Sequence, residues 1–192
     1  MRCEPQSGFL KGAVRVDETY VGGKPRPGDG KPRRKGRATL KAPVMVLVET
    51  GKGGKAVSRH IERVDGATLG PIMRQVIDKK AKLVTDELPV YKRLGKDFDG
   101  GHEVVNHASG EYSRGGIDTN TAESYFALLK RGVIGSFHHV SKGHLHRYCD
   151  EFSFRWNNRE ITDLQRRTIA LMQVEGKRLM YRQPVGESGS LS

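Results

Sequence analysis

The chain has 192 residues, with 34 lysines and arginines against 22 aspartates and glutamates, a formal net charge of +12. That length suits one domain with a full hydrophobic core, and that charge favours a polyanion as partner, nucleic acid first. The cysteines, Cys3 and Cys149 alone, exclude a disulfide framework and a Cys-x-x-Cys zinc ribbon within the chain and fit a reducing cytoplasm.

Met1 to Leu10 has neither the basic start nor the apolar middle of a secretory signal. From Val14 to Val21 β-branched residues alternate with polar ones and stop at Gly22-Gly23, which predicts a strand. Residues 22–41 (GGKPRPGDGKPRRKGRATLK) are rich in Gly and Pro and hold eight Lys or Arg against one Asp, so a basic loop insertion carrying +7 is predicted. Ala42 to Thr50 is almost continuously apolar, as a buried central strand requires. Its longest apolar stretch, Val44 to Val48, falls far short of the roughly 20 residues that span a bilayer, so no membrane attachment is expected. Ala56 to Val64 follows the GKGGK turn as a third strand.

Leu69, Ile72, Met73, Val76 and Ile77 recur at helical spacing and define one apolar face. Lys82 to Thr85 is a short strand running into Asp86, Pro89 opens a short helix through Leu94, and His102 to Asn106 forms a fifth strand. Thr121 to Arg131 is a helix with Phe126 and Leu129 on its apolar side. Leu145, Tyr148, Phe152 and Trp156 mark the buried face of another, so core packing rather than base stacking is expected of Phe152 and Trp156. Leu164 to Met180 supplies a last helix, and the Gly- and Ser-rich end from Gln183 is expected to fray. Three strands, then strand and helix in alternation, then helices predict a mixed sheet with helices on both faces. This order resembles the ribonuclease-H-like α/β fold: a mixed five-stranded sheet, flanking helices and a helical C-terminal extension.

Three acidic residues stand out by position: Asp17 within the first strand, Asp86 at the end of the fourth, and Glu123 at the start of the helix after the fifth. A carboxylate buried in a strand is costly unless a cation or donor compensates. Carboxylates gathered at neighbouring strand ends are hard oxygen ligands for Mg2+ or Mn2+, and two such ions about 4 Å apart serve phosphodiester chemistry. Each residue also has a plainer reading. Asp17 can be an edge residue facing water, Asp86 a strand stop before Pro89, and Glu123 the far half of a capping box begun by Asn120. Taken together, in this order of elements, the metal-binding reading moves ahead. Lys130 lies seven residues beyond Glu123, two helical turns on and on the same face, where an ammonium can meet a DNA phosphate.

Five segments carry a family likeness: VDETYVGG, VTDELPVY, VNHASGEY, NTAESYFALLKRGVIGSFHHVSKGHLHRY and DEFSFRWNNR. In order and spacing they resemble the transposase domain of insertion-sequence family 1595, the ISXO-two-like group, from about Gly12 to about Thr162. The resemblance implies a DDE triad with a following lysine: Asp17 first, Asp86 second, Glu123 third after 36 intervening residues, and Lys130 beside them. Some members of the group use Asn in third place, which leaves Asn120, on the same helical face, as the alternative ligand. Glu123 is preferred because a third negative ligand better balances two divalent cations.

The implied activity is metal-dependent DNA cleavage and strand transfer at insertion-sequence ends. It would use two Mg2+ or Mn2+ ions, double-stranded DNA of the transposon ends and target, and a homodimer or higher oligomer. A metal-dependent nuclease or resolvase of the same fold and a catalytically silent DNA-binding fragment are the alternatives. Family members commonly carry a zinc ribbon and helix-turn-helix region ahead of this domain. Residues 1–11 are therefore expected to be an N-terminal remnant, 12–162 the catalytic domain, 163–182 a C-terminal helix and 183–192 a disordered tail. Without the recognition region, the chain is expected to be inactive by itself at transposon ends.

Lys24, Arg26, Lys31, Arg33, Arg34, Lys35 and Arg37 of the basic loop, with Lys130 and Arg131, are the expected DNA contacts. With no base-reading element in sight, they would touch mainly the backbone; a solvated surface insertion is the alternative for the loop. His138, His139, His144 and His146 lack a defined further ligand for zinc, so phosphate contact or capping of the helix near Leu145 is expected of one or two of them. His107, in one of the family segments, is expected near the metals in a supporting role.

Overall fold

The computed structural model describes residues 8–22, 41–105, 120–133 and 140–174. The seven basic-loop residues, Cys3, Asn106, His107, His138, His139 and the chain after Val174 lie outside those residues. Five strands form one sheet: β1 Ala13–Val21, β2 Ala42–Glu49, β3 Ala56–His60, β4 Lys82–Thr85 and β5 His102–Val104. Their order is β3-β2-β1-β4-β5. The first three pair antiparallel, while β4 runs parallel to β1 and β5 parallel to β4. This is the mixed, ribonuclease-H-like sheet that the order of elements predicted. The helices are α1 Gly66–Val76, α2 Pro89–Leu94, α3 Asn120–Arg131, α4 Leu145–Asn157 and α5 Asp163–Val174. No described helix is long and apolar enough to cross a membrane.

Strand alternation divides the interior into two cores. Val14 and Val16 of β1 and Met45 and Leu47 of β2 pack with Leu69 and Met73 of α1, Leu83 of β4 and Tyr91 of α2. On the opposite face Val21 of β1 and Val44, Val46 and Val48 of β2 meet Tyr125, Leu129, Phe152 and Trp156 of α3 and α4. β2 is apolar from Ala42 to Val48 because both of its faces are covered. The side chain of Asp65 accepts from the Thr68 amide (2.8 Å) and caps α1, and Pro89 opens α2 where a missing N–H costs nothing.

Some elements differ from the sequence reading. β3 stops at His60 rather than Val64: the Ile61 amide still reaches the Pro43 carbonyl (3.1 Å), one residue from the start of β2 at Ala42, where the pairing runs out. β5 ends at Val104. On α3 the fully buried residue beside Leu129 is Tyr125, with Phe126 half-buried, and on α4 it is Cys149 rather than Tyr148 that joins Leu145, Phe152 and Trp156. α5 buries no residue and exposes Leu164, Leu171 and Met172.

An edge strand leaves a row of backbone groups to be satisfied, and α4 does this for β3. The Asn157 amide accepts from the Ala56 N–H (2.7 Å) and donates to the Ala56 carbonyl (2.9 Å), replacing a neighbouring strand. Ser153 Oγ accepts from the Ser58 N–H at 3.0 Å, and the Cys149 sulfur takes a hydrogen bond from the His60 backbone. Helix residues four apart advance about 6 Å and strand residues two apart about 6.7 Å, so one helical face keeps pace with alternate strand residues. Burial pushes the Cys149 thiol up to about 12, leaving it an inert part of the packing. Inside the clamp Ser58 Oγ bonds Tyr125 Oη (2.7 Å) and donates to the Cys149 carbonyl (3.0 Å), while Trp156 Nε1 donates to the Gly54 carbonyl (2.9 Å). The Tyr125 and Trp156 rings meet edge to face at 5.5 Å. At the end of α3 a Cβ on Gly132 would stand 1.8 Å from the Phe152 ring, so only glycine lets α3 approach α4.

Asn157→Ala removes both partners of a buried backbone unit. At about 1 to 3 kcal/mol for each buried polar group left unsatisfied, urea unfolding should show a loss of roughly 2 to 6 kcal/mol with unchanged m-value. A loss below about 0.5 kcal/mol would mean that α4 does not clamp β3.

Candidate metal and DNA-processing site

β1 pairs with β4 only from Ala13 to Val16, where Val16 faces Thr85, the last residue of β4. Asp17, on β1, and Asp86, the residue just past β4, come next and stand level with one another. β1 continues to Val21 along β2 alone, so Asp17 stands where the β1–β4 pairing ends, at the carboxyl end of β4, the side on which α/β sheets accept ligands. Carboxylate oxygens of Asp17, Glu18 and Asp86 lie within 4.8 Å of one another, and all three residues are half-buried.

The surrounding groups fix these carboxylates. Asp17 Oδ1 accepts from the Glu18 amide (2.7 Å), and the guanidinium of Arg15, only 5% exposed, stands 3.9 Å from Oδ2. Arg15 precedes Asp17 by two residues and so shares its side of the strand. Glu18 accepts from the hydroxyl of Tyr91, which lies fully buried on α2. Burial first, then the Glu18 carboxylate, with Asp86 and Asp17 adding, raise the Tyr91 pKa far above the ordinary phenol range, so this hydroxyl remains a neutral donor. Asp86 Oδ1 accepts from the Leu88 amide (3.1 Å), a turn that leads into α2.

Thr85 Oγ1 donates to the Asp86 carbonyl and sits 2.8 Å from His102 Nε2. Having spent its one proton, the hydroxyl must accept from Nε2–H, which sets the tautomer of His102. Burial lowers the His102 pKa and keeps the ring neutral. Gly95 makes room for that ring, since a Cβ there would come within 2.5 Å of it.

The structure brings Asp17 and Asp86 together as the sequence reading required and adds Glu18, which that reading passed over. Its only sequence signal was adjacency to Asp17, and strand alternation argued against it. Glu123 is exposed in the first turn of α3 and is not part of the three-carboxylate cluster found among the described residues. Its helix nevertheless packs through Tyr125 and Leu129 on the face to which Asp17 belongs, since Asp17 lies opposite Val46 and Val46 is in that core. α3 begins at Asn120, whose side chain lies outside the described residues.

Lys130 is exposed near the end of α3, its ammonium 5.9 Å from the Phe126 ring centre, and Arg131 Nε donates to the Ala127 carbonyl (3.3 Å). His144 directly precedes α4 and is exposed, and its side chain makes no cap bond, so it is not the capping residue. Phe152 and Trp156 are core residues, as expected.

A mixed sheet in this order, with aspartates meeting where its central parallel pair diverges, defines a domain of the ribonuclease-H-like class that includes the DDE transposases. Residues 9–157 match the ISXO2-like transposase domain, and the chain belongs to that family. A solved structure with some likeness is that of the Mos1 strand transfer complex, with a TM-score of 0.30 and 16% sequence identity over 78% of this chain and 54% of that chain. This chain thus matches about half the length of that one. No curated protein matches.

Three carboxylates this close repel one another until a cation arrives. Asp86→Asn should therefore melt at or above the parent's temperature in EDTA, yet lack the rise with Mn2+ that is expected of the parent. That rise corresponds to about 2.7 kcal/mol at a hundredfold excess over Kd. A variant that gains as much from Mn2+ as the parent would exclude Asp86 as a ligand.

Proposed function

We propose that this domain cleaves DNA at insertion-sequence ends and joins the freed 3′-hydroxyl to target DNA, with two divalent cations, Mg2+ or Mn2+, as cofactors. The observation that carries this reading is the meeting of Asp17 and Asp86, joined by Glu18, within 4.8 Å at the open end of a parallel strand pair in a transposase-family chain. The donor set fits such ions, being wholly hard, anionic oxygen. When bound, they supply positive charge at the attacking and departing oxygens of a phosphodiester exchange.

Within this reading Asp17 and Asp86 hold the cations and Glu123, on the helix covering the Asp17 face, completes the triad, with Asn120 as its competitor. Tyr91 keeps the Glu18 carboxylate in place, and Arg15 offsets the charge of Asp17. Lys130 holds a DNA phosphate. In cleavage a water oxygen bonds to phosphorus, the P–O3′ bond breaks, and the 3′-oxygen leaves as a hydroxyl. In transfer that hydroxyl attacks a target phosphodiester and displaces its 3′-oxygen in the same way. The basic loop binds the backbone of double-stranded DNA, and pairing of two ends calls for a homodimer or higher oligomer, acting in the cytoplasm. The test is Mg2+-dependent joining of a pre-nicked end to a plasmid. Joined product supports the proposal, cleavage alone makes the domain a nuclease or resolvase, and binding alone makes it a silent fragment.

The third ligand is decided by two substitutions. Glu123→Gln should nearly abolish cleavage of a pre-paired end duplex while leaving fold and DNA binding intact. Asn120→Ala should cost about 1 kcal/mol of helix stability and a modest share of activity. Exchanged severities would transfer the role to Asn120, and two fully active variants would remove it from α3.

Replacing Arg33, Arg34 and Lys35 with Ala should weaken binding to all DNA sequences alike and flatten its salt dependence, because phosphate contacts release counterions. An unaltered salt slope would leave the loop as a solvated insertion.

A further inference from the structure

The charge of this chain is not confined to the basic loop. An open groove of about 850 Å3 runs between α3, α4 and α5 on the outer side of the helical layer. Arg131, Arg155, Arg159, Arg166 and Arg167 line it, against two carboxylates, Glu151 and Asp163. From α3 it takes Ser124, Leu128 and Arg131, which at spacings of four and three form one helical face. Ser124 is the immediate neighbour of Glu123, so the groove starts at the turn that carries the proposed third carboxylate.

Two of the arginines build the wall. Arg159 donates to the carbonyls of Gly54 (3.1 Å) and Trp156 (2.9 Å), with its guanidinium 4.2 Å over the Trp156 ring. Arg166 donates to the carbonyls of Asn158 (3.2 Å) and Ile161 (3.4 Å) and pairs with Asp163 (2.8 Å). Their charges are thereby held in place. Arg131 and Arg167 are exposed. Arg155 pairs with Glu151 at 2.7 Å, but the two side chains are 58% and 40% exposed, and a surface ion pair of this kind is worth little and exchanges readily for a phosphate. Both carboxylates of the groove are thus already matched within it, which leaves an excess of guanidinium toward the solvent.

We propose that this groove is a track for the phosphodiester backbone of DNA, carrying the substrate strand past the start of α3 toward the carboxylate site. The inference rests on the transposase reading above and names a second DNA surface for it, distinct from the basic loop. Arg131, Arg155 and Arg167 contact phosphate, while Arg159 and Arg166 set the shape and potential of the wall. Arginine suits the role because its planar fork matches phosphate oxygens.

The test measures binding of the full chain to a labelled duplex of about 30 base pairs in EDTA across a salt series. The triple variant Arg131→Gln, Arg155→Gln, Arg167→Gln should bind more weakly. Its log–log salt slope should fall by roughly 2 to 3, at about 0.9 for each phosphate that is no longer neutralised. Glu151→Gln, which releases Arg155 and removes a negative charge from the groove, should bind more tightly than the parent, a gain that misfolding cannot mimic. A triple variant with the parent's slope, or no tightening by Glu151→Gln, overturns the proposal. So does a changed sedimentation coefficient with unchanged DNA binding, which would assign the groove to a protein partner. Asp86→Asn separates this result from the catalytic reading: it should retain the parent's DNA affinity and lose cleavage. If it still cleaves while the arginine effects hold, the chemistry is misassigned and the DNA track stands.

Discussion

The architecture depends on the parallel pairing of β1 with β4 and on where that pairing stops. Four residues of each strand are in register, from Ala13 opposite Lys82 to Val16 opposite Thr85, and then β4 turns away. Two aspartates far apart in sequence are thereby placed level where the strand pair ends. Held there with Glu18, they repel one another, and burial in the α1 and α2 core outweighs this cost. Val14, Val16, Leu83 and Tyr91 belong to that core, so the strands bearing the carboxylates cannot shift without breaking it. Arg15 and the Tyr91 hydroxyl then give the acidic groups local compensation.

On the other face the structural demand is different. β3 is an edge strand, and α4 satisfies its outward groups through Asn157, Ser153 and Cys149. The same helix takes α3 against it through Phe152 and Gly132 and through the Tyr125–Trp156 ring contact. α3 carries Glu123 and Lys130, so the clamp that closes the sheet edge also determines where the proposed third ligand and the phosphate contact stand. Stability and site geometry are coupled through these few contacts.

α5 adds almost nothing to the interior, yet with α3 and α4 it frames the arginine groove. Its contribution is therefore electrostatic more than hydrophobic. Arg166 ties it to the turn after α4, and Arg167 faces outward beside Arg155 and Arg131. Beyond the basic segment of residues 22–41, this helical surface is a second concentration of positive charge.

The elements themselves were largely legible in the sequence. Alternation in β1, the doubly buried run of β2 and the helical spacing of α1 reflect the periods of strand and helix, which are local properties of the chain. Asp17 and Asp86 were legible because an acidic residue at a strand position or strand end stands out against that pattern. Within helices the face was read nearly right, but Tyr125 and Cys149 replaced Phe126 and Tyr148 in the core, because the edge of β3 sets the orientation of α4 and draws polar partners inward. Glu18 could not be found by alternation, since its membership of the cluster depends on Tyr91 from another helix. The groove was equally hidden, because its arginines come from three helices whose mutual packing no local pattern encodes. The sequence by itself thus determined the periodic elements, their apolar faces and the two strand-borne aspartates, since each follows from residues close along the chain. Which carboxylates meet, which hydroxyl holds them and which arginines share one groove was decided only by tertiary structure, because those are distances between groups that the chain brings together only by folding.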